Sequence, residues 1–188
     1  MTIKIVTYAD AGMHDLLRIS VPNKSRYAAR HGYPLTVGYT SLDTTRPAVW
    51  SKLLYLRQEL LTADWLFWTD ADSLVVDHNR TLESFLSDNA DLITDADHNG
   101  LKGGEFFLRN CQAASEFLET VWENTAFVGH HWQEQAGMAD VLSRDPDIIR
   151  HLALGRQMIS AYPSDKCGGA FILHYVAGWK AVMRTFAP

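Results

Sequence analysis

Apolar residues run or alternate over short stretches at 3–7, 34–39 and 64–69, and between these stretches they recur at three- and four-residue spacing, so strands separated by helices are predicted. The first strand, 3–7, leads into a loop over 8–14. A helix then ends at about His31, with Pro22 placed in its first turn and Gly32 as its stop. Residues 34–39 alternate as a strand, and Pro47 opens a second helix on which Trp50, Leu53, Leu54, Leu56, Leu60 and Leu61 share a face. The aromatic run 64–69 reads as a buried central strand that stops abruptly at Asp70-Ala71-Asp72, and a strand resumes over 73–76. Further on, the pattern predicts a short helix at 82–87 and a strand at 91–94. Then come a Gly-containing loop after Asp95-Ala96-Asp97, a strand at 106–108 and a helix at 113–124. A helix reaching about Leu142 and strands at 151–154, 157–161 and 170–174 complete the chain.

That alternation is α/β, and its first half fits parallel strands joined by crossover helices. A length of 188 residues suits a single domain. With 17 Lys+Arg against 22 Asp+Glu, a formal net charge of −5, and no basic block, binding to a nucleic-acid backbone is not indicated. The two cysteines, Cys111 and Cys167, form neither a disulfide framework nor a zinc-type grouping. No run is long and apolar enough for a signal or membrane-spanning segment, so a soluble, cytoplasmic protein is expected.

Ligands of such sheets sit beyond the carboxyl ends of the strands, which is where the first Asp triplet falls. Two carboxylates leaving a hydrophobic strand are mutually repulsive unless a cation joins them, and Mg²⁺ or Mn²⁺ takes oxygen ligands while leaving positions for phosphate. Asp triplets also occur in ordinary acidic turns. The second triplet, Asp95-Ala96-Asp97, is expected to bind sugar hydroxyls or to form Asx turns.

At this point the residues resemble the GT-A fold glycosyltransferases, and among them the galactosyl/xylosyltransferase (GMA12/MNN10-type) family. Six motifs in order carry the resemblance: Asn23-Lys24 through His31-Gly32-Tyr33; Trp50-Ser51-Lys52; Trp65 through Asp70-Ala71-Asp72; Gly104 through Arg109-Asn110; Glu134-Gln135; and His174 through Gly178. The resemblance implies a Rossmann-like, mostly parallel sheet flanked by helices. It divides the domain into a nucleotide- and metal-binding half, about 1–76, and a donor-sugar and acceptor half, about 77–188. It also implies a retaining transferase that uses a nucleoside-diphosphate sugar, a UDP-sugar by expectation, with Mn²⁺ or Mg²⁺. Asp70, Asp72 and His174 would hold the metal, and Glu134 and Gln135 would be catalytic. Tyr8, Ala9, Asp10, Lys52, Asp70, Ala71, Asp95, Lys102, Gly103, Gly104, Gly178 and Lys180 would line the nucleotide and donor site.

Departures bear on the donor. Lys102-Gly103-Gly104 stands where many relatives carry Asn-x-Gly, and Glu134 stands where the xylosyltransferases have Asp. Strand one begins at residue 3 without the anchor and stem of eukaryotic relatives, which suggests a bacterial or viral form. The acceptor, a hydroxyl of a glycan, lipid-linked sugar, protein or modified base, leaves no mark in the sequence. Two other readings use the same triplet. One is a metal-dependent nucleotide- or sugar-binding module without transfer. The other is a DxD phosphohydrolase, whose nucleophile would instead be on the first strand.

Overall fold

A computed structural model describes residues 1–97, 100–155, 158–165 and 169–187. Its main sheet has six strands in the order β2-β1-β3-β6-β5-β7. These are β1 Ile3–Tyr8, β2 Leu35–Gly38, β3 Trp65–Thr69, β5 Leu92–Asp97, β6 Gly100–Arg109 and β7 His151–Leu154. A second sheet of three strands, β4 Ser73–Val75, β9 Ile172–His174 and β8 Ser160–Ala161, covers one end of the first. The helices are α1 His14–His31, α2 Ser51–Leu60, α3 Gln112–Glu123, α4 Gln133–Arg144 and α5 Trp179–Arg184. Among the described residues no helix is long and apolar enough to cross a membrane.

The central strands are buried on both faces, which is why they read as apolar runs. In β3, Leu66 and Trp68 face a core shared with Trp50, just before α2, with Leu53 and Leu56 of α2 and with Phe117, Leu118 and Val121 of α3. Trp65 and Phe67 face the opposite core with Tyr27 of α1, Phe85, Phe107 and Phe171. Strand β1 pairs in parallel with β2 and β3, and β5 with β7. Between β3 and β5 lies β6, antiparallel to both.

That inserted strand is the main departure from expectation. The segment expected as a Gly-containing loop is the first half of a ten-residue strand, entered through Gly100 at φ 100° and paired Asp97↔Gly100 with β5. His98 and Asn99 of the expected loop lie outside the described residues. Asp95-Ala96-Asp97 does not follow β5 but belongs to it, at a register shift between Thr94 and Ala96. Because β6 runs backwards, its first half lies beside the carboxyl end of β3, with Thr69 opposite Glu105.

Pro22 is not in the first turn of α1 but well inside it, eight positions past His14. Pro22 and Arg18, whose carbonyl Pro22 cannot bond, are both exposed. Burial of Leu16, Leu17, Tyr27 and Ala28 on the other face offsets the local cost. Gly32 ends the helix as expected, left-handed at φ 76°. Leu61 falls beyond the last turn of α2 and is 79% exposed rather than on the core face. Helix α4 starts at Gln133, and α5 was not anticipated.

Helix α1 also organises the small sheet. The Asn23 amide donates to Val75 O at 3.0 Å and accepts from Val75 N at 2.8 Å, so one side chain substitutes for a neighbouring strand along β4. Asn23→Ala leaves both backbone groups unpaired and should cost about 1–3 kcal/mol. Urea unfolding tests this, since a loss below about 0.5 kcal/mol would be the ordinary effect of a surface substitution.

Candidate active site at the strand ends

The aromatic strand β3 delivers Asp70 to the sheet's carboxyl edge, where three backbone contacts fix the turn. Asp70 N donates to Gly104 O at 2.9 Å. Asp70 O accepts from Lys24 Nζ at 2.5 Å and Ser73 Oγ at 2.8 Å. Antiparallel pairing of Ser73 with His174 then carries the histidine alongside. As a result, one ligand atom from each of Asp70, Asp72 and His174 lies within 4.8 Å of the others. His174 Nε2 is 3.1 Å from Asp72 Oδ1 and 3.9 Å from Asp70 Oδ2. A glycine is required next to this ring. A Cβ on Gly104 would come 2.2 Å from His174 Cε1 and 2.6 Å from Nδ1.

Four carboxylates and four basic groups meet here, mostly buried. Lys52 Nζ contacts Glu134 Oε1 at 2.7 Å, Asp70 Oδ1 at 3.1 Å and Gly103 O at 2.9 Å. Burial works against the charge of Lys52, but Asp70 and Glu134 overcome it and raise its pKa. Glu134 has one cation against burial and the Asp70 charge, and its carboxyl is pushed up. Burial also opposes ionisation of Asp72, yet His174 and then Lys180, 3.2 Å from Oδ2, hold it well below the usual range. Glu105, fully buried, is brought down to about 2 by His174, Lys102 and a hydrogen bond from Ser73 despite the cost of burial. His174 is raised, burial being outweighed by Glu105 and Asp72. Lys24, fully buried beneath the Asp70 carbonyl, is lowered to about 8 by desolvation.

In front of this cluster opens a cavity of about 300 Å³. Of the residues expected at the donor site, Tyr8, Ala9, Asp10, Lys52, Asp70, Ala71 and Lys180 line it, together with the metal-ligand candidate Asp72. Tyr8 stacks on Tyr55 at 4.9 Å between ring centres and shares a hydrogen bond with Ser41 at 2.7 Å. Other expected residues serve the frame. Gln135 Oε1 accepts from Gly103 N at 2.9 Å. Lys102 Nζ donates to Ser160 O at 2.6 Å and Oγ at 2.8 Å, and so points toward the small sheet. Asp95, fully buried, accepts from the backbone N–H groups of Ile159 and Ser160, and Asp97 accepts from the Tyr162 hydroxyl. Fully buried, Asp95 offers no exposed oxygen to a sugar. Gly178 is exposed at the start of α5.

Sequence reasoning passed over Lys24, Glu105, Ser73 and Trp68. Trp68 Nε1 donates to Asp70 Oδ1 at 2.7 Å. A signal existed for Glu105, a lone carboxylate in the otherwise uncharged run 103–108, and for Lys24, which falls on the core face of α1 with Ser20 and Tyr27. Two carboxylates with an imidazole form a donor set suited to a divalent cation, Mn²⁺ more than Mg²⁺ because of the nitrogen.

A model of the galactosyl transferase GMA12/MNN10 family matches residues 1–90 and 84–182. The probable alpha-1,6-mannosyltransferase MNN10 of Saccharomyces cerevisiae is 24% identical over 192 residues, 79% of this chain and 48% of the yeast protein. A probable xyloglucan 6-xylosyltransferase 5 of Arabidopsis thaliana is 31% identical over 124 residues, 57% of this chain and 26% of the plant protein. The chain thus spans half or less of these relatives' length. Among solved structures, a glycosyltransferase involved in glycosylation of the major capsid of PBCV-1 superimposes with a TM-score of 0.79 at 17% identity, covering 100% of both chains. The galactosyltransferase LgtC, solved with donor and acceptor sugar analogs, gives 0.67 at 12% identity, covering 98% of this chain and 95% of its own. These likenesses establish the GT-A fold.

Gly104→Ala tests the packing of the cluster. The added methyl must displace the His174 ring, so Mn²⁺ affinity by calorimetry should fall at least tenfold, with a stability loss of about 1–3 kcal/mol. Unchanged affinity would mean that the ring position is not what the site requires.

Proposed function

Because the chain belongs to the galactosyl transferase GMA12/MNN10 family, we propose that it is the catalytic domain of a retaining glycosyltransferase that moves a hexose or pentose from a UDP-sugar to a hydroxyl acceptor. The observation that supports this best is the meeting of Asp70, Asp72 and His174, with the two carboxylates on the wall of a cavity that Lys52 and Lys180 also line. The carboxylates and imidazole suit a divalent cation, and the two ammonium groups suit a diphosphate. Tyr8, stacked on Tyr55, offers an aromatic wall for the base. In this reading the nucleotide- and metal-binding half, about 1–76, borrows its third metal ligand, His174, from the sugar-binding half, about 77–188.

A bound Mn²⁺ or Mg²⁺ would supply Lewis-acid stabilisation to the leaving diphosphate. The chain's own groups do the rest. Lys180, 31% exposed and lying against Asp72, is close enough to the solvent side of the site to shift onto phosphate oxygens. Lys52 is fixed by Gly103 and Glu134 and presents a preorganised positive charge beside Asp70. Glu134 is buried and occupied by Lys52, which suits an electrostatic role better than that of a free nucleophile. We therefore favour attack from the face of departure, with the leaving phosphate oxygen taking the acceptor's proton. Gln135 shapes the donor side by holding the strand at Gly103.

Incubation with UDP-sugars and Mn²⁺ tests the activity directly. Release of UDP, dependent on metal and accelerated by an acceptor hydroxyl, is the expected result, and binding without release would favour a non-catalytic module. Mn²⁺ and UDP together should stabilise the fold more than the sum of each alone, a single ligand at 100 times its dissociation constant contributing about 2.7 kcal/mol. Asp72→Asn and His174→Ala should each remove that cooperativity in thermal-shift measurements, and purely additive shifts in the wild type would count against a shared site.

Glu134→Gln separates the two retaining routes. It should keep UDP affinity and lose about 10²–10³-fold in rate, the scale of one lost electrostatic stabiliser. Azide should fail to rescue Glu134→Ala. Azide rescue with a product of inverted configuration would instead make Glu134 a nucleophile.

A further inference from the structure

We propose that Glu105 is the positioning residue of the metal site: its buried carboxylate takes the Nδ1 side of the His174 ring and so turns Nε2 toward Asp70 and Asp72. This rests on the metal reading above and adds to it a carboxylate that does not itself touch the cation.

Three observations carry the inference. First, Glu105 Oε2 lies 3.3 Å from His174 Nδ1, while Nε2 on the opposite side of the ring faces Asp72 Oδ1 at 3.1 Å. Second, the other oxygen, Oε1, is occupied by Ser73 Oγ at 2.6 Å, and the fully buried Oε2 makes no hydrogen bond among the described residues, His174 Nδ1 being the charged-group atom that faces it. A buried carboxylate oxygen with no other partner is costly unless the group that faces it matters. Third, Ser73 Oγ lies 2.8 Å from Asp70 O as well as 2.6 Å from Glu105 Oε1, its one proton serving either acceptor, and Ser73 pairs with His174 across the small sheet, so one residue ties Glu105, the histidine and the Asp turn into a single unit. Gly104, preceding Glu105, leaves the space the ring fills.

The chemistry follows from the two ring nitrogens. A neutral imidazole carries one proton, and an acceptor at Nδ1 keeps it there, leaving the Nε2 lone pair for the cation. Carboxylates in this position orient ligating histidines and raise their donor strength.

Mn²⁺ titration of the wild type, Glu105→Gln, His174→Ala and the double variant tests the proposal without turnover. Glu105→Gln should weaken Mn²⁺ about 10- to 100-fold. In the His174→Ala background the same change should add nothing, because its effect passes through the ring. Equal affinities in wild type and Glu105→Gln, or additive losses in the double variant, would overturn it. Wild-type protein that binds no Mn²⁺ would instead take down the metal reading itself. A measurement on the wild type, needing no variant to fold, is ¹⁵N NMR of the His174 ring with Mg²⁺ and UDP. The Nδ1–H tautomer is expected, and an Nε2–H tautomer would overturn the proposal.

Discussion

Four carboxylates, from Asp70, Asp72, Glu105 and Glu134, converge at one end of the main sheet, three of them buried and Asp70 partly so. Ionised carboxylates in so dry a place repel one another, and the fold accommodates them only because Lys24, Lys52, Lys180 and His174 approach from separate elements. Breaking such a group by removing one partner leaves an uncompensated buried charge, which costs about 3–5 kcal/mol. The directions of the pKa shifts agree with this balance, since Asp72 and Glu105, each faced by cations, are held down, while Glu134, with one cation against burial, is pushed up.

Assembling that balance explains the less regular parts of the architecture. Strand β6 runs antiparallel within an otherwise parallel sheet, and that direction sets Gly104 and Glu105 beside the end of β3. Helix α1 contributes Lys24 from below and holds β4 through Asn23. The small sheet delivers His174, and α5 follows with Lys180. Residues distant in sequence therefore share one site whose charged groups are partnered within the fold, and preorganised charge is the condition under which electrostatic stabilisation is most effective.

Much of this was legible in the sequence where local pattern and tertiary role coincide. Strands β1 and β3 are apolar because both their faces are buried, and Asp70 and Asp72 stood out as the abrupt end of such a run. Legibility failed where polar residues occupy core positions. On α1, Lys24 and Ser20 face inward while Pro22 faces out, so the helix start was set too late. The first half of β6 carries Lys102, Gly103 and Gly104, poor strand formers that suggested a loop. Gly104 is required because a Cβ there would stand 2.2 Å from the His174 ring, and at Gly103 it would stand 3.1 Å from Gln135. Asp95 and Lys102 were placed at the donor by resemblance, and in the structure their hydrogen-bond partners are the backbone and side chain of the β8 segment. Glu105 carried no expectation because its meaning depends on a histidine 69 positions later, which the pairing of β4 with β9 brings near.

The most direct test of the account is where a cation binds. Crystals of the protein with Mn²⁺ and UDP, examined by anomalous diffraction at the manganese edge, should show one strong peak within ligand distance of Asp70, Asp72 and His174 Nε2, with diphosphate oxygens completing its shell. A peak elsewhere, or UDP bound in the cavity with no metal between its phosphates and these three residues, would contradict it.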